Sequence, residues 1–573
     1  AHDARERHGH APVRDHQHRG IELALDAVER TQHLTGARTA PVALPRRRAE
    51  PAARAPAAAG TVVFEPGRVE VPVPEGASIL DAAERAGLQI EAGCRMGVCG
   101  ADPIAVLDGM SCLSEPQRDE RNTLRRLGLA ENTRMACCAR LGAGTVVVSL
   151  APEPGTRAAA PTGAYDRSIV SVVVLGNGIA GVTAADFVRR GHPDCEIHVV
   201  GREPHALYNR MGISRLVYGR SAMQGLSLLP ERWYDDHDIT AWLNTVASRI
   251  DVTERTVTLG TGEVLPYDRL ILAMGAASAV PAIEGIERPG SFVLREATDA
   301  LQLRSYVQHH GSERAVVAGG GLLGLEAAHA LAQLGLRVTV LERGERLLPQ
   351  QIDADCSTFV HDHFVRGGIE VRYRAEVARL SGDPAVTTAV LADGTRLGCD
   401  VFLAAIGIRP NVDLARDAGI PVGRGVLVDD RMATGVAGVY AAGDVAELDG
   451  RVFGLWPVAA EQAQAAAVNA LGGDMRVSAE TPATILKGVG LGLFAVGRVE
   501  PADGDEVIVV ADPELPSYRR LVVSAGRAVG AVVLGDHPAD LAAAQEAVRE
   551  GRDLPVSAVD ALRAGDWSAL QDA

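Results

Sequence analysis

Two glycine-rich segments of the same design constrain this chain more than any other feature. Each begins with a short apolar run, passes through glycines spaced as G-x-G-x-x-G, and continues into an alanine-rich stretch. The glycines are Gly176, Gly178 and Gly181 in the first segment, and Gly319, Gly321 and Gly324 in the second. Such a loop joins a buried strand to a helix and lets the backbone and the positive helix end approach a pyrophosphate. The sequence therefore predicts two dinucleotide-binding units.

An acidic residue follows each unit at the end of the next predicted strand. Glu203 comes after EIHVV, and Glu342 comes after RVTVL. A carboxylate at this position can bind ribose hydroxyls and favours a free 2′-hydroxyl over a 2′-phosphate. We therefore expect NADH rather than NADPH at the second unit, with Arg343 and Arg346 keeping NADPH open as the alternative.

The rest of the chain predicts a multidomain α/β protein. It contains two Rossmann-like domains, preceded by an N-terminal β-grasp ferredoxin-like α+β domain and followed by a small C-terminal α+β domain. We expect a disordered tail with one amphipathic helix in residues 1–60, and the ferredoxin-like domain, with one helix at SILDAAERAGL, in 61–150. A linker follows in 151–167. The first dinucleotide domain is expected in 168–295 with 412–470, the second in 296–411, and the C-terminal domain in 471–573.

Composition narrows the class of protein. The formal net charge of −16 over 573 residues disfavours nucleic acid and anionic membranes as partners. No run approaches the ~18 apolar residues of a membrane span. Five of the eight cysteines lie between Cys94 and Cys138, and such crowding indicates a metal site rather than a disulfide framework. We expect a cytoplasmic protein. The sequence leaves open whether the protein forms a homo-oligomer and whether a further N-terminal domain exists.

The cysteine-rich segment resembles plant-type [2Fe–2S] ferredoxins, which read C-x4-C-x2-C and then a distant fourth cysteine. Cys94 and Cys99 match the first two positions, and Cys137 in RMACCARL matches the last, on a predicted strand. The third position holds Asp102 instead of cysteine. The resemblance implies a [2Fe–2S] cluster held by these four residues.

The fourth ligand has two alternatives to Asp102. Cys138 directly follows Cys137, but successive side chains of a strand point to opposite faces, which argues against one shared iron. Cys112 follows a predicted turn, on the returning strand of a hairpin, and can fold back towards the loop.

Residues 168–470 resemble the FAD- and NAD-dependent pyridine nucleotide-disulfide oxidoreductases, in the branch of ferredoxin, rubredoxin and nitrite reductases. Beyond the glycines, the matching positions are Tyr208 and Arg210 in PHALYNRMGIS, Ala273 and Gly275 around Met274, Gly407 in AAIGIRPN, and Asp444 in GVYAAGDVAE. The resemblance implies that residues 168–295 with 412–470 bind FAD, where Asp444 contacts the cofactor and Arg210 lies near the flavin. It further implies that residues 296–411 bind NAD and that Glu326, the candidate catalytic residue, lies near the nicotinamide and orients it. It also implies that Trp456 precedes a helix, beginning near Val458, whose positive end faces the flavin.

The thiol-disulfide reductases of this family carry a cysteine pair beside the flavin. This chain has only Cys195 after the first glycine loop, and Cys356 and Cys399 in the second dinucleotide domain. We therefore expect electrons to pass from NADH to FAD, then to the cluster, and on to a one-electron acceptor protein or small acceptor. The alternatives are an NADH oxidase with a structural cluster and a redox-sensing regulatory flavoprotein.

Overall fold

The computed structural model describes residues 60–88, 90, 95, 97, 99–152, 165–219, 222–477, 483–486, 489–512, 514, 516–535 and 538–572. The amphipathic helix expected in 1–60 lies outside these residues, and so does Cys94. Among the described residues, no helix is long and apolar enough to cross a membrane.

The first sheet is a five-stranded β-grasp, with strand order β2-β1-β5-β3-β4. Its strands are β1 (Gly60–Glu65), β2 (Val69–Val73), β3 (Pro103–Asp108), β4 (Thr133–Met135) and β5 (Gly144–Ser149), and its first helix is α1 (Ile79–Arg85). Strands β1 and β5 are parallel and the other pairs are antiparallel. Ser78 caps α1 and exchanges hydrogen bonds with Asp81 in a capping box, which fixes where the helix begins.

A second helix, α2 (Arg118–Leu127), corrects the expectation of a single helix in this part of the chain. Glu120, Thr123 and Leu127 are buried although two of them are polar. They follow the i, i+3, i+7 spacing of one helix face. The sequence pattern missed this helix because its buried face is polar.

The first dinucleotide sheet is fully parallel, with strand order β24-β12-β6-β7-β8. Its strands are β6 (Ser171–Leu175), β7 (Glu196–Val200), β8 (Ile239–Trp242), β12 (Arg269–Leu272) and β24 (Val439–Ala441). Its helices are α3 (Ile179–Gly191), α6 (Trp233–Asp236) and, after a gap in sequence, α10 (Asp413–Asp417) and α11 (Trp456–Ala470). Two short helices between α3 and α6, α4 (Ile213–Val217) and α5 (Met223–Leu226), pack in the core of the second parallel sheet. All five side chains of β6 are buried, as in a central parallel strand.

The second parallel sheet has strand order β14-β21-β15-β16-β17. It contains β14 (Ser291–Val293), β15 (Arg314–Ala318), β16 (Arg337–Leu341), β17 (Glu370–Arg372) and β21 (Val401–Ala404), with helices α7 (Ala297–His310), α8 (Leu322–Gln333) and α9 (Ala354–Arg366). This sheet lies in sequence between β12 and β24 of the first one, so the first sheet is built from two separate stretches of chain. Strand β14 belongs to this sheet but precedes residue 296, where we expected the second dinucleotide domain to begin.

Smaller sheets accompany the two parallel ones. They contain β9 (Ala247–Asp251), β10 (Thr256–Leu259) and β11 (Val264–Pro266); β13 (Ala276–Ser278) with β22 (Ile408–Pro410); β18 (Val377–Ser381), β19 (Thr388–Leu391) and β20 (Arg396–Gly398); and β23 (Val426–Val428) with β25 (Ala446–Leu448). The β13–β22 pair joins the chain that enters the second parallel sheet to the chain that leaves it.

The C-terminal part is an antiparallel sheet with strand order β26-β27-β30-β29-β28. Its elements are β26 (Thr484–Leu486), β27 (Leu493–Gly497), β28 (Glu506–Asp512), β29 (Ser517–Ser524) and β30 (Arg527–Leu534), followed by α12 (Pro538–Glu550), α13 (Val556–Arg563) and α14 (Ala569–Asp572). One sheet face packs under the helices, and Leu493, Tyr518 and Val532 pack into the apolar core of the second parallel sheet.

A buried ion pair ties α2 to β4, and its loss should destabilise the ferredoxin-like sheet. Arg134 donates to Glu120 at 2.7 and 3.1 Å, and Glu120 also accepts the Met135 N–H at 2.9 Å. Arg134→Met leaves the Glu120 carboxylate buried without its cation, so we expect a loss of about 3–5 kcal/mol. Native-state hydrogen exchange of the β1–β5 amides measures this loss. Arg125→Ala on the exposed side of α2 is the control, and an equal, small effect of both variants would contradict the prediction.

Candidate functional site

The first glycine loop lies where β6 turns into α3. Gly176 has a φ of +121°, and a Cβ there would overlap the carbonyl oxygen of Ala273. A Cβ at Gly181 would overlap the carbonyl oxygen of Gly176, so helix and loop touch backbone to backbone. A Cβ at Gly178 would meet no atom within 4 Å, which leaves open space above the N-terminus of α3. This cradle suits a pyrophosphate.

The second loop, between β15 and α8, repeats this arrangement. Gly319 has a φ of +116° and packs on the carbonyl oxygen of Ala405, Gly324 packs on the carbonyl oxygen of Gly319, and the space around Gly321 is open. Glu342 lies beneath the loop, and its carboxylate accepts the N–H of Gly320 at 2.9 Å. The carboxylate also accepts the Gly344 N–H at 2.6 Å, so it is held at the rim where a ribose would bind.

Glu203 and Arg210, predicted separately, form an ion pair. Tyr208 completes the group by donating its hydroxyl to Glu203 at 2.8 Å and accepting the Ala297 N–H at 3.0 Å. Burial raises the pKa of Tyr208 well above its ordinary value, so the hydroxyl stays protonated. The structure thus places the predicted ribose acid and the predicted flavin-proximal arginine in one network.

The other predicted FAD positions also lie on connected backbone. The segment from Ala273 to Gly275 follows β12, and Asn411 donates to the carbonyl oxygens of Met274 at 2.8 Å and Gly275 at 3.0 Å. The carbonyl oxygen of Gly407 accepts the N–H of Ala279 at 2.9 Å. These bonds join the turn at residues 273–275 to the chain that leaves the second parallel sheet.

Two buried polar side chains and one ion pair in residues 168–295 and 412–470 have hydrogen-bonding groups that suit a flavin. Asp444 pairs with Arg295, a residue that the sequence analysis did not identify. The Trp456 indole N–H and both amide atoms of Asn209 are buried and find no hydrogen-bond partner among the described residues. A bound cofactor with several acceptors and donors would satisfy such groups. Helix α11 begins at Trp456 itself rather than near Val458.

Glu326 lies in the second turn of α8, after Gly324, and is partly buried. Its expected place near a nicotinamide stays a prediction. The three thiols of the dinucleotide-binding part are buried. Burial raises the pKa of Cys195 to about 11 and that of Cys399 to about 12. Burial also raises the pKa of Cys356, so the surroundings of all three thiols disfavour the thiolate form.

Of the predicted cluster residues that the structure describes, Asp102 and Cys137 are in contact, whereas Cys99 packs in a different cluster of buried side chains. All three are buried, and no group of three or more cysteine, histidine or acidic side chains within the described residues is close enough to hold a metal ion. One carboxylate oxygen of Asp102 accepts the N–H of Cys137 at 2.6 Å. Gly97 and Gly100 have φ values of +73° and +84°, so the loop turns tightly at the two glycines that flank Cys99.

The expected strand at Cys137 and Cys138 is wrong. Strand β4 ends at Met135, and residues 136–138 form a turn. After Met135 the chain turns back, because the carbonyl oxygen of Met135 accepts the N–H groups of Cys138 and Ala139, both at 2.9 Å. The side chain of Asp102 holds the Cys137 N–H within this turn. As a result the sulfurs of Cys137 and Cys138 lie 3.8 Å apart instead of on opposite faces.

Cys138 also points at the cluster loop, since a Cβ at Gly97 would stand 2.7 Å from its sulfur. The returning strand expected at Cys112 is wrong as well. Gly109 makes the expected turn with a φ of +80°, but Met110–Cys112 is a short 3-10 helix. The Cys112 sulfur faces Gly144.

Two parallel dinucleotide sheets and a cysteine-bearing β-grasp define an oxidoreductase with sites for FAD, NAD(P)H and a [2Fe–2S] cluster. Comparison with known families agrees. Residues 170–463 match pyridine nucleotide-disulphide oxidoreductase, 482–551 match the rubredoxin NAD+ reductase C-terminal domain, and 63–142 match the 2Fe-2S iron-sulfur cluster binding domain. The chain belongs to the pyridine nucleotide-disulphide oxidoreductase family.

Similar proteins include reductases of several systems. The chain is 32% identical over 404 residues to the ferredoxin reductase component of chlorobenzene dioxygenase from Cupriavidus sp. (strain PS12), covering 69% of this chain and 95% of that protein. It is 32% identical over 367 residues to nitrite reductase [NAD(P)H] from Bacillus subtilis (strain 168), covering 64% of this chain but only 45% of that protein. The ferredoxin reductase for the CYP199A2 system from Rhodopseudomonas palustris superposes with a TM-score of 0.62 at 25% identity, over 68% of this chain and 96% of that one.

A matched pair of glycine substitutions tests the two cradles. Gly178→Ala and Gly321→Ala place a methyl group in open space, so neither should disturb the fold. We expect Gly178→Ala to lower FAD content at least tenfold, and Gly321→Ala to raise the dissociation constant of NADH at least tenfold with FAD retained. Flavin absorbance and NADH titration measure the two effects, and each variant is the control for the other. Loss of FAD in Gly321→Ala would contradict this assignment.

Proposed function

We propose that this chain oxidises NADH and delivers the electrons singly, through its own flavin-binding and cluster-binding domains, to an external one-electron acceptor. The observation that carries the proposal is that one chain holds two glycine cradles and a cysteine loop, while the thiols of its dinucleotide-binding domains, Cys195, Cys356 and Cys399, are buried and free. Relatives named as ferredoxin and rubredoxin reductases support an acceptor protein of that kind.

The protein's own residues contribute binding and orientation. The open N-terminus of α3 holds a pyrophosphate, and Glu203 is kept at the ribose position by Tyr208 and Arg210. Glu342 does the same at the second cradle, which favours NADH over NADPH. FAD, when bound, accepts hydride directly from a nicotinamide, so no general base is required. Glu326 is proposed to orient the nicotinamide ring.

For the cluster we propose four thiolates, from Cys94, Cys99, Cys137 and Cys138. Two thiolates on one tetrahedral metal with bonds of about 2.3 Å lie ~3.8 Å apart. The Cys137 and Cys138 sulfurs have this separation before any metal is considered. Asp102, our expectation from the sequence, already uses one carboxylate oxygen to hold the Cys137 backbone in the turn. We therefore propose that Asp102 supports the ligand loop and that Cys138 completes the ligand set.

Three substitutions separate the candidates for the fourth ligand. Cys138→Ala should abolish the cluster, because one iron loses a thiolate. Asp102→Asn preserves the side-chain shape and an acceptor for the Cys137 N–H, so the cluster should persist. Cys112→Ala is the matched control. Iron and sulfide content and the paramagnetic spectrum after reconstitution report the outcome. Loss of the cluster in Asp102→Asn but not in Cys138→Ala would return the role to Asp102.

Anaerobic titration with NADH tests the whole proposal. We expect flavin absorbance to bleach and the electron paramagnetic resonance signal of a reduced [2Fe–2S] cluster to rise during the same titration. In Gly321→Ala, dithionite should still reduce both centres at the wild-type rate, whereas reduction of both centres by NADH at the same concentrations should be at least several times slower. A flavin that bleaches while the cluster stays oxidised would instead favour an NADH oxidase with a structural cluster.

A further inference from the structure

The ferredoxin-like sheet and the first dinucleotide sheet share one apolar core. Cys99 and Leu127 are buried in the same cluster of side chains as β6 and Trp233, and Ala101 packs at its edge. Cys99 is fully enclosed. The described end of the cysteine loop, from Cys99 to Ala101, therefore packs against the first dinucleotide domain.

Arg126 lies at the centre of this contact. Its backbone carbonyl accepts the indole N–H of Trp233 at 2.7 Å, and the bond is buried. Its guanidinium contacts the carbonyl oxygen of Cys99 at 3.4 Å and the hydroxyl of Thr183 on α3 at 3.5 Å. Arg126 is only 3% exposed and Trp233 only 1%. One residue of α2 thus bonds both to the cysteine loop and to two elements of the dinucleotide domain.

A buried acidic residue of α3 lies near the charge of Arg126. Asp186 is on α3 one turn after Thr183 and pairs with Arg190 at 2.7 Å. Burial raises the pKa of Asp186, while the positive charges of Arg190 and Arg126 oppose that rise. The guanidinium of Arg126 thus lies close enough to α3 for its charge to act on a buried carboxyl group of the first dinucleotide domain.

The same contact reaches the first glycine loop. Trp233 is followed by Tyr234, whose hydroxyl donates to the side chain of Asn177, the residue between Gly176 and Gly178. A chain of bonded residues therefore connects Cys99, through Arg126 and α6, to the loop that cradles the pyrophosphate.

We infer that the ferredoxin-like domain is a fixed relay, docked on the outer face of α3 by Arg126 and Trp233, rather than a carrier that swings on its linker. Arg126 is a positioning residue: it holds the cysteine loop against the dinucleotide domain. The relay role rests on the proposed function, whereas the docking stands on the contacts alone.

The test uses the full chain with Arg126→Ala and, as matched control, Arg125→Ala, whose side chain is exposed on the same helix. We expect Arg126→Ala to raise amide hydrogen exchange at least fivefold in residues 179–191 and 230–238, and to slow NADH-driven cluster reduction at least tenfold with unchanged flavin reduction. Arg125→Ala should match the wild type. Arg126→Lys keeps the charge and should recover part of both effects.

Trp233→Phe is the second variant, for the case that Arg126→Ala does not retain its iron-sulfur cluster. It removes one hydrogen-bond donor outside the ferredoxin-like domain and keeps the aromatic packing. Trp242→Phe, on β8, is its control. Unchanged hydrogen exchange in Trp233→Phe and Arg126→Ala would overturn the docking. Raised exchange, in a protein whose wild-type cluster is never reduced by NADH, would leave the docking standing and refute the proposed function.

Discussion

Backbone-to-backbone contact at the glycine loops is the constraint on which the rest of this structure depends. Gly181 rests on the carbonyl oxygen of Gly176, and Gly176 rests on that of Ala273, so no side chain fits between strand, loop and helix. Gly324, Gly319 and Ala405 repeat the arrangement. This close packing turns the N-terminus of each helix towards open space, where unpaired N–H groups and the helix dipole attract a phosphate.

The cysteine loop depends on a different principle, in which polar side chains replace a strand partner. Glu120 and Asp102 accept the backbone N–H groups of Met135 and Cys137, and the turn that Asp102 supports brings two thiols together. Arg134 neutralises Glu120 within the ferredoxin-like core, and Arg126 contacts Cys99 and Thr183 at the domain contact. Buried charges thus shape both the ligand turn and its position on the dinucleotide domain.

Sequence patterns predicted the fold wherever local periodicity and burial agree. The strand before Gly176 is apolar at every position after Ser171 and is buried at every position, and residues 471–573 form the small α+β domain that the sequence predicts. The helix Arg118–Leu127 was not predicted, because Glu120, Thr123 and Arg126 on its buried face are polar. Their partners lie on β4 and α3, and no local pattern contains such distant residues.

The site was predictable in its residue types but not in its pairings. The acids, glycines and cysteines follow from motifs, whereas the pairing of Glu203 with Arg210 and that of Asp444 with Arg295 require the folded chain. The turn at Cys137 and Cys138 could not be read from RMACCARL, because it depends on a carboxylate 35 positions away in the sequence.

The central claim is that electrons pass from flavin to cluster within one molecule. Rapid-mixing measurement of cluster reduction by NADH, over a hundredfold range of protein concentration, tests it most directly. If electrons move within one molecule, the first-order rate constant of cluster reduction does not change with protein concentration. A rate constant that rises in proportion to protein concentration would mean that electrons move between molecules, and would contradict the account.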